Sequence, residues 1–189
     1  SDAVIQCYLP GDKGGVALAD IIFGKINPSG KLPYTYPRYS GVIMHYDHKQ
    51  SEVINANTWK NDFFNPQYNF GHGLSYTKFE YSNMNISKSA YSLSEKEITV
   101  TVDVKNTGKI SGKEVVQLYS RDHFATISPP LRELVRYNKI SLEPGETKTV
   151  SFTVDIEELG FYNIDNVWVN ETGKHSFYIN NLESTFSLK

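Results

Sequence analysis

His45-Tyr46-Asp47-His48 is the densest cluster of groups able to bind a metal or move a proton. Two imidazoles and a carboxylate are ligands that zinc accepts. The cluster lacks the rest of a zinc site. No helical period aims the side chains, and no third remote ligand stands out. It is assigned as a loop contact, with no metal and no cofactor. Asp12, Asp20 and Asp47 are the carboxylates to weigh for acid–base work. Asp12 follows Pro10-Gly11 at the start of a helical pattern, where an acid suits the positive helix end. Asp20 lies inside that pattern and suits packing or hydrogen bonding. Asp47 is the least constrained. His72 between Gly71 and Gly73 is placed to bond backbone, while His123 and His175 have no evident partners and are expected at the surface. Cys7 is the only cysteine, so no internal disulfide forms. Asn85-Ile86-Ser87 and Asn170-Glu171-Thr172 fit the glycosylation acceptor pattern but carry no functional weight here.

The elements that must position these groups fall into unlike halves. Ala3 to Leu9 is a nearly continuous apolar run, as a strand buried on both faces would be. Pro10-Gly11 turns the chain, and Val16, Ala19 and Phe23 repeat at helical spacing up to Gly24, a natural stop. Leu32-Pro33-Tyr34-Thr35-Tyr36-Pro37 is extended, since each proline pushes its predecessor toward β. A lone strand-helix unit cannot bury its own faces. The sequence is therefore expected to begin inside a domain, with Val4, Ile5, Ile21 or Phe23 exposed or covered by another chain; the alternative is that Val4 to Leu9 is an outer strand packed on the later sandwich. Residues 38–67 show no period. Trp59, Phe63, Phe64 and Tyr68 argue that this loop is partly docked.

From Lys78 onward, alternation with period two takes over. Ile98, Val100, Val102 and Val104 alternate with Thr99, Thr101, Asp103 and Lys105, the pattern of a half-buried strand. Glu143-Pro144-Gly145-Glu146 fits a type II turn. About seven short strands with regular turns and no paired cysteines predict an Ig-like β-sandwich of the fibronectin type III kind. Between the halves stands Phe70-Gly71-His72-Gly73-Leu74-Ser75-Tyr76-Thr77-Lys78-Phe79. Two glycines permit a tight crossing, and Phe70, Tyr76 and Phe79 supply apolar anchors. A flexible tether would lack such aromatics. A packed joint is expected, with its aromatics largely buried and Gly71 or Gly73 in a conformation that other residues resist.

The 189 residues allow one large or two small domains. Hydrophobic residues at 39% and charged residues at 21% are a globular balance, which excludes a disordered chain. A net charge of −2 gives no footprint for nucleic acid or an anionic membrane. No apolar run is long enough to span a bilayer.

Three ordered stretches resemble glycoside hydrolase family 3, the β-glucosidase and β-xylosidase-like enzymes. The first is Leu9-Pro10-Gly11, Gly14-Gly15, Ala19-Asp20, Phe23-Gly24 and Asn27-Pro28-Ser29-Gly30-Lys31-Leu32-Pro33. The second is Phe70 to Thr77 with Phe79. The third is Val104-Lys105-Asn106-Thr107-Gly108, Gly112 to Tyr119, and Leu142 to Thr147. The resemblance implies residues 1–37 as the last strand-helix unit of an incomplete α/β sandwich domain. It implies 38–77 as a docked linker and joint, and 78–189 as a fibronectin type III-like domain. The parent enzyme would be a retaining, exo-acting β-glycosidase in the periplasm or secreted. Such an enzyme needs two carboxylates flanking the scissile bond. By resemblance, the nucleophilic aspartate and the acid/base glutamate lie upstream, so no catalytic residue is assigned and the chain alone is expected to be inactive. Its partners would be the upstream barrel and α/β domain, and carbohydrate through the parent enzyme. Association through the apolar surface of residues 1–37 is a further expectation. His45, Asp47, His48 and Trp59 are the candidate loop contacts. Trp59 and Trp168 could stack on sugar rings, although Val167 and Val169 mark Trp168 as a strand residue. Arg136 and Asn180 stand where the family commonly has glycine, which puts local bulge or turn geometry in question. An autonomous sugar-binding or Ig-like interaction module is the alternative.

Overall fold

The computed structural model describes residues 3–42, 44–49 and 66–189. The strands are β1 (Phe79–Ile86), β2 (Ala90–Tyr91), β3 (Glu97–Asn106), β4 (Gly112–Asp122), β5 (Glu133–Leu142), β6 (Thr147–Asp155), β7 (Phe161–Tyr162), β8 (Trp168–Val169), β9 (Gly173–Ile179) and β10 (Leu182–Leu188). One sheet has the order β1-β3-β6 and the other β2-β10-β9-β4-β5; β7 and β8 form a separate arm. The pairings are antiparallel, except that β2 runs parallel to β10.

The side-chain alternation explains why the sheets face each other. Ile98, Val100, Val102 and Val104 are fully buried, while Thr99 and Lys105 on the other face are exposed. Val150, Phe152 and Val154 do the same in β6, and Val116, Leu118, Phe177, Ile179, Phe186 and Leu188 line the opposing sheet. Phe177 and Phe186 stack at 4.9 Å, and Tyr91 meets Phe186 edge-on at 5.9 Å. Each such side chain contributes about 1.5–3 kcal/mol of burial. The architecture is the mainly β, fibronectin type III-like sandwich that the alternation predicts.

Local punctuation follows chemistry. Gly145 takes φ +78, and Glu146 N donates to Glu143 O at 3.0 Å, closing the Pro-Gly turn. Asp155 caps a 3₁₀ turn at Ile156–Leu159, its side chain accepting from Glu157 N. Asn180 adopts φ +54 in the β9–β10 hairpin, the left-handed conformation that a glycine would take there. Arg136 lies beside a register shift: Leu118 pairs with Arg136 and Tyr119 with Leu134, leaving Val135 as the extra residue of a bulge.

The N-terminal part departs from expectation. Residues 3–9 form no strand, and Val4 and Leu9 are 67% and 98% exposed. A strand is held by backbone bonds to a neighbour, and among the described residues none forms a strand or bridge with this segment. The helix α1 is formed at Gly14–Ile22 and stops at Gly24, which has φ +74 and donates its N–H to Ile21 O. Two histidines also differ from the surface positions expected of them. His175 is buried in β9 and stacks on Phe186 at 5.6 Å; His123 is partly covered, its Nε2 2.9 Å from Ser176 Oγ. Strand alternation and a cross-strand hydroxyl decided these placements, and neither is visible from a lone histidine. Trp59, Phe63 and Phe64 lie outside the described residues.

Candidate functional site

The joint begins as a pairing of two extended segments. Leu32 N donates to His72 O at 2.8 Å and Gly71 N to Leu32 O at 2.8 Å. Further along, Tyr36 N donates to Tyr68 O at 2.8 Å, and Gln67 N to Tyr36 O at 2.9 Å. The proline-bracketed run stays extended and pairs with its partner at its two ends, Leu32 and Tyr36. Both glycines are required by geometry. Gly71 has φ +78, and a Cβ on Gly73 would stand 2.2 Å from Gly30 O.

Side chains then tie this pair to the sandwich. Asn27 Oδ1 accepts from Tyr76 N at 2.8 Å and Ser75 Oγ at 3.0 Å, while its Nδ2 donates to Ser111 O at 3.2 Å. Lys31 Nζ lies 3.0 Å from Glu114 Oε1, both side chains largely buried, and Tyr81 OH donates to the same oxygen at 2.9 Å. Burial, then the Glu114 carboxylate, pushes the Tyr81 phenol far above its ordinary value. Thr77 Oγ1 donates to Asn106 Oδ1 at 2.6 Å, and Asn106 Nδ2 reaches Ile110 O and Leu142 O at 2.8 and 3.1 Å. The aromatic anchors divide. Phe70 stacks on Tyr46 at 4.2 Å and Phe79 packs against the core. Tyr76 is 51% exposed, contrary to the burial expected of it, because its hydroxyl reaches out to donate to Ile21 O at 2.9 Å. His72 stacks on Tyr68 at 4.9 Å.

The segment 44–49 docks on the sandwich. Leu131 N donates to His48 O at 3.0 Å, Leu134 N to Tyr46 OH at 3.3 Å, and Lys49 bridges Pro130. His45 is exposed, and Asp47 and His48 are half-buried. His48 Nδ1 lies 3.2 Å from His45 O, so its ring faces the backbone of its own loop. Among the described residues, no three His, Cys, Asp or Glu side chains group as metal ligands. Glu133 nearby is raised by burial and then by the Asp47 charge. Asp20 pairs with Lys25 at 3.2 Å at the end of α1. Trp59 lies outside the described residues. A cleft of about 740 Å³ runs between the docked segment, the joint and the sandwich, lined by Lys31, Tyr46, Phe70, His72, Tyr119 and Arg132 among others. Burial there pushes the Tyr119 phenol up to about 12.

Asn27, Lys31, Asn106 and Glu114 make the contacts of this joint and escaped sequence reasoning, which placed Thr77 in the joint without its partner. Asn27 and Asn106 stand in Asn-Pro and Asn-Thr-Gly stretches that read as turns. The signal that could have found Lys31 and Glu114 is opposite charge in two of the three motif stretches.

Residues 1–76 match the Glycosyl hydrolase family 3 C-terminal domain, and residues 114–182 match the Fibronectin type III-like domain. The chain belongs to glycosyl hydrolase family 3. Within that family it corresponds to the C-terminal region, and the first match ends at Tyr76, inside the joint. A periplasmic beta-glucosidase of Salmonella typhimurium is 40% identical over 188 residues, covering 95% of the chain and 24% of that protein. Thermostable beta-glucosidase B of Acetivibrio thermocellus is 38% identical, covering 99% of the chain and 26% of that protein. The chain thus spans about a quarter of these family 3 relatives. Among solved structures, a beta-glucosidase mutant of Listeria innocua in complex with laminaribiose superposes with a TM-score of 0.90 at 32% identity, covering 100% of the chain and 28% of that one.

Proposed function

We propose that this chain is the bracing C-terminal part of a retaining, exo-acting β-glycosidase of the β-glucosidase type. The reacting carboxylates would be supplied from outside the chain. Residues 1–37 would complete an α/β domain, 38–77 would form the docked linker and joint, and 78–189 the sandwich. The observation that carries this proposal is the Lys31–Glu114 ion pair at 3.0 Å, which fastens the first family segment to the second. A tether would not desolvate opposite charges to fix an angle. The docked segment 44–49 would be held at a set position relative to the catalytic domains. Val4, Leu9, Val16 and Phe23 are 67%, 98%, 63% and 80% exposed, which supports a further packing partner from the same enzyme.

The purified chain should leave aryl β-glucosides and β-xylosides intact. Turnover that is abolished by Asp47→Asn or Asp12→Asn would overturn this function. Phe70→Ala with Tyr76→Ala should raise protease sensitivity between residues 60 and 80 and lower thermal stability. If neither changes, the joint is a tether and does not brace.

A further inference from the structure

The β7–β8 arm carries aromatic side chains that the joint does not use. Tyr162 and Trp168 are paired across it and meet edge-on at 5.0 Å. Both remain open to solvent, at 59% and 42% exposure. Trp168 is nevertheless fixed. Its Nε1 donates to Glu157 O at 3.0 Å, and a Cβ on Gly160 would stand 2.6 Å from that nitrogen. Gly160 therefore lets the indole lie against the backbone. An exposed aromatic already held in place loses little rotamer freedom when something stacks on it.

Beside the arm, a cleft of about 510 Å³ opens toward the ends of β4 and β5. That size suits a small-molecule site. Its lining sets Trp168 and Tyr162 against Arg121, Asp122, Glu133 and His175. Asp122 and His175 are paired across β4 and β9, and His175 is 3% exposed, so the floor of the cleft is closed.

We propose that this cleft binds a carbohydrate, with one pyranose ring lying on Trp168 and its hydroxyls meeting Asp122, Glu133 and Arg121. A pyranose presents an apolar C–H face to a ring and hydroxyls that both donate and accept around its rim. The lining offers both kinds of group: the aromatic rings of Tyr162 and Trp168, and the carboxylates and guanidinium of Asp122, Glu133 and Arg121. The two carboxylates repel phosphate, which disfavours a nucleic acid strand on the same rings. The bracing function uses neither Tyr162 nor Trp168, so the two proposals stand or fall separately.

Cellotetraose and xylotetraose titrated into the ¹⁵N-labelled chain test the site by NMR. Saturable shifts are expected at the Trp168 indole N–H and at the Phe161 and Tyr162 amides. Trp168→Ala should weaken binding at least about tenfold. Tyr162→Ala should weaken it less, and Tyr137→Ala, 70% exposed on β5, should leave it unchanged. No saturable shift with either sugar at tens of millimolar would overturn the proposal. So would shifts confined elsewhere, or parent-like binding by Trp168→Ala. Should Trp168→Ala fail to fold, the shift map and Tyr162→Ala decide.

Discussion

Thr77 and Asn106, 29 residues apart in sequence, share a buried hydrogen bond of 2.6 Å that joins the end of the joint to the end of β3. Asn106 is fully used there. Its Oδ1 also accepts from Gly108 N at 3.1 Å, and its Nδ2 serves Ile110 O and Leu142 O. Asn106→Ala would strand two carbonyls, an amide and a hydroxyl. A loss of about 3 kcal/mol is expected in urea denaturation of the chain. Thr77→Val keeps the shape and leaves one acceptor short, so about 1–2 kcal/mol is expected. Equal losses for both variants would contradict the central place given to Asn106.

The Lys31–Glu114 pair should be far more sensitive to losing one partner than both. Lys31→Met leaves Glu114, 10% exposed at the side chain, without its cation. That loss is expected to cost about 3–5 kcal/mol, while Lys31→Met with Glu114→Leu should recover much of it. Thermal unfolding of the single and double variants measures the coupling. Additive effects would mean that the pair is not an interacting unit.

The two glycines of the joint should fail differently. Gly71→Ala forces φ +78 on a residue with a Cβ, but the nearest obstacle is the end of the Gln117 side chain. About 1–2 kcal/mol is expected. Gly73→Ala instead meets Gly30 O, which is backbone. The paired segments 32–36 and 68–72 must then part, so limited proteolysis should cut there in Gly73→Ala and not in Gly71→Ala. The reverse ranking would show that conformation, not close approach, dictates these glycines.

Acid should weaken the fold through its buried histidine. Burial lowers the His175 pKa below its ordinary value, against a smaller opposing pull from Asp122. Below about pH 6.5 the unfolded chain takes up a proton that the folded chain refuses. The stability is thus full above that pH and falls as the pH drops. His123, lowered by burial and by Arg121 and Lys174, acts in the same direction. Glu183, lowered by bonds from Tyr178 and Ser176, adds a second loss below about pH 4.5. Urea midpoints from about pH 7.5 to 5.5 should decline, and His175→Phe should flatten the decline. An unchanged slope would place the proton uptake elsewhere.

The sandwich was legible because its evidence is local. Ile98 to Val104 state a period of two, and Pro144-Gly145 states its turn. The joint was half legible. Gly71, Gly73 and the aromatics marked a crossing, yet Tyr76 turned out exposed, anchored through its hydroxyl. Trp168 was expected in a strand, and β8 supplies one, but its exposure depends on Gly160 and Glu157, which no period announces.

The sequence by itself determined the family, the strand alternation and the turn chemistry, since each is written in neighbouring residues. The tertiary structure alone decided that Asn27, Lys31, Thr77, Asn106 and Glu114 meet at one joint. It also decided that residues 3–9 form no strand among the described residues and that His175 lies inside. The physical reason is that hydrogen bonds and ion pairs between distant segments have no sequence period. They exist only once burial has brought the segments together and made an unpaired polar group costly.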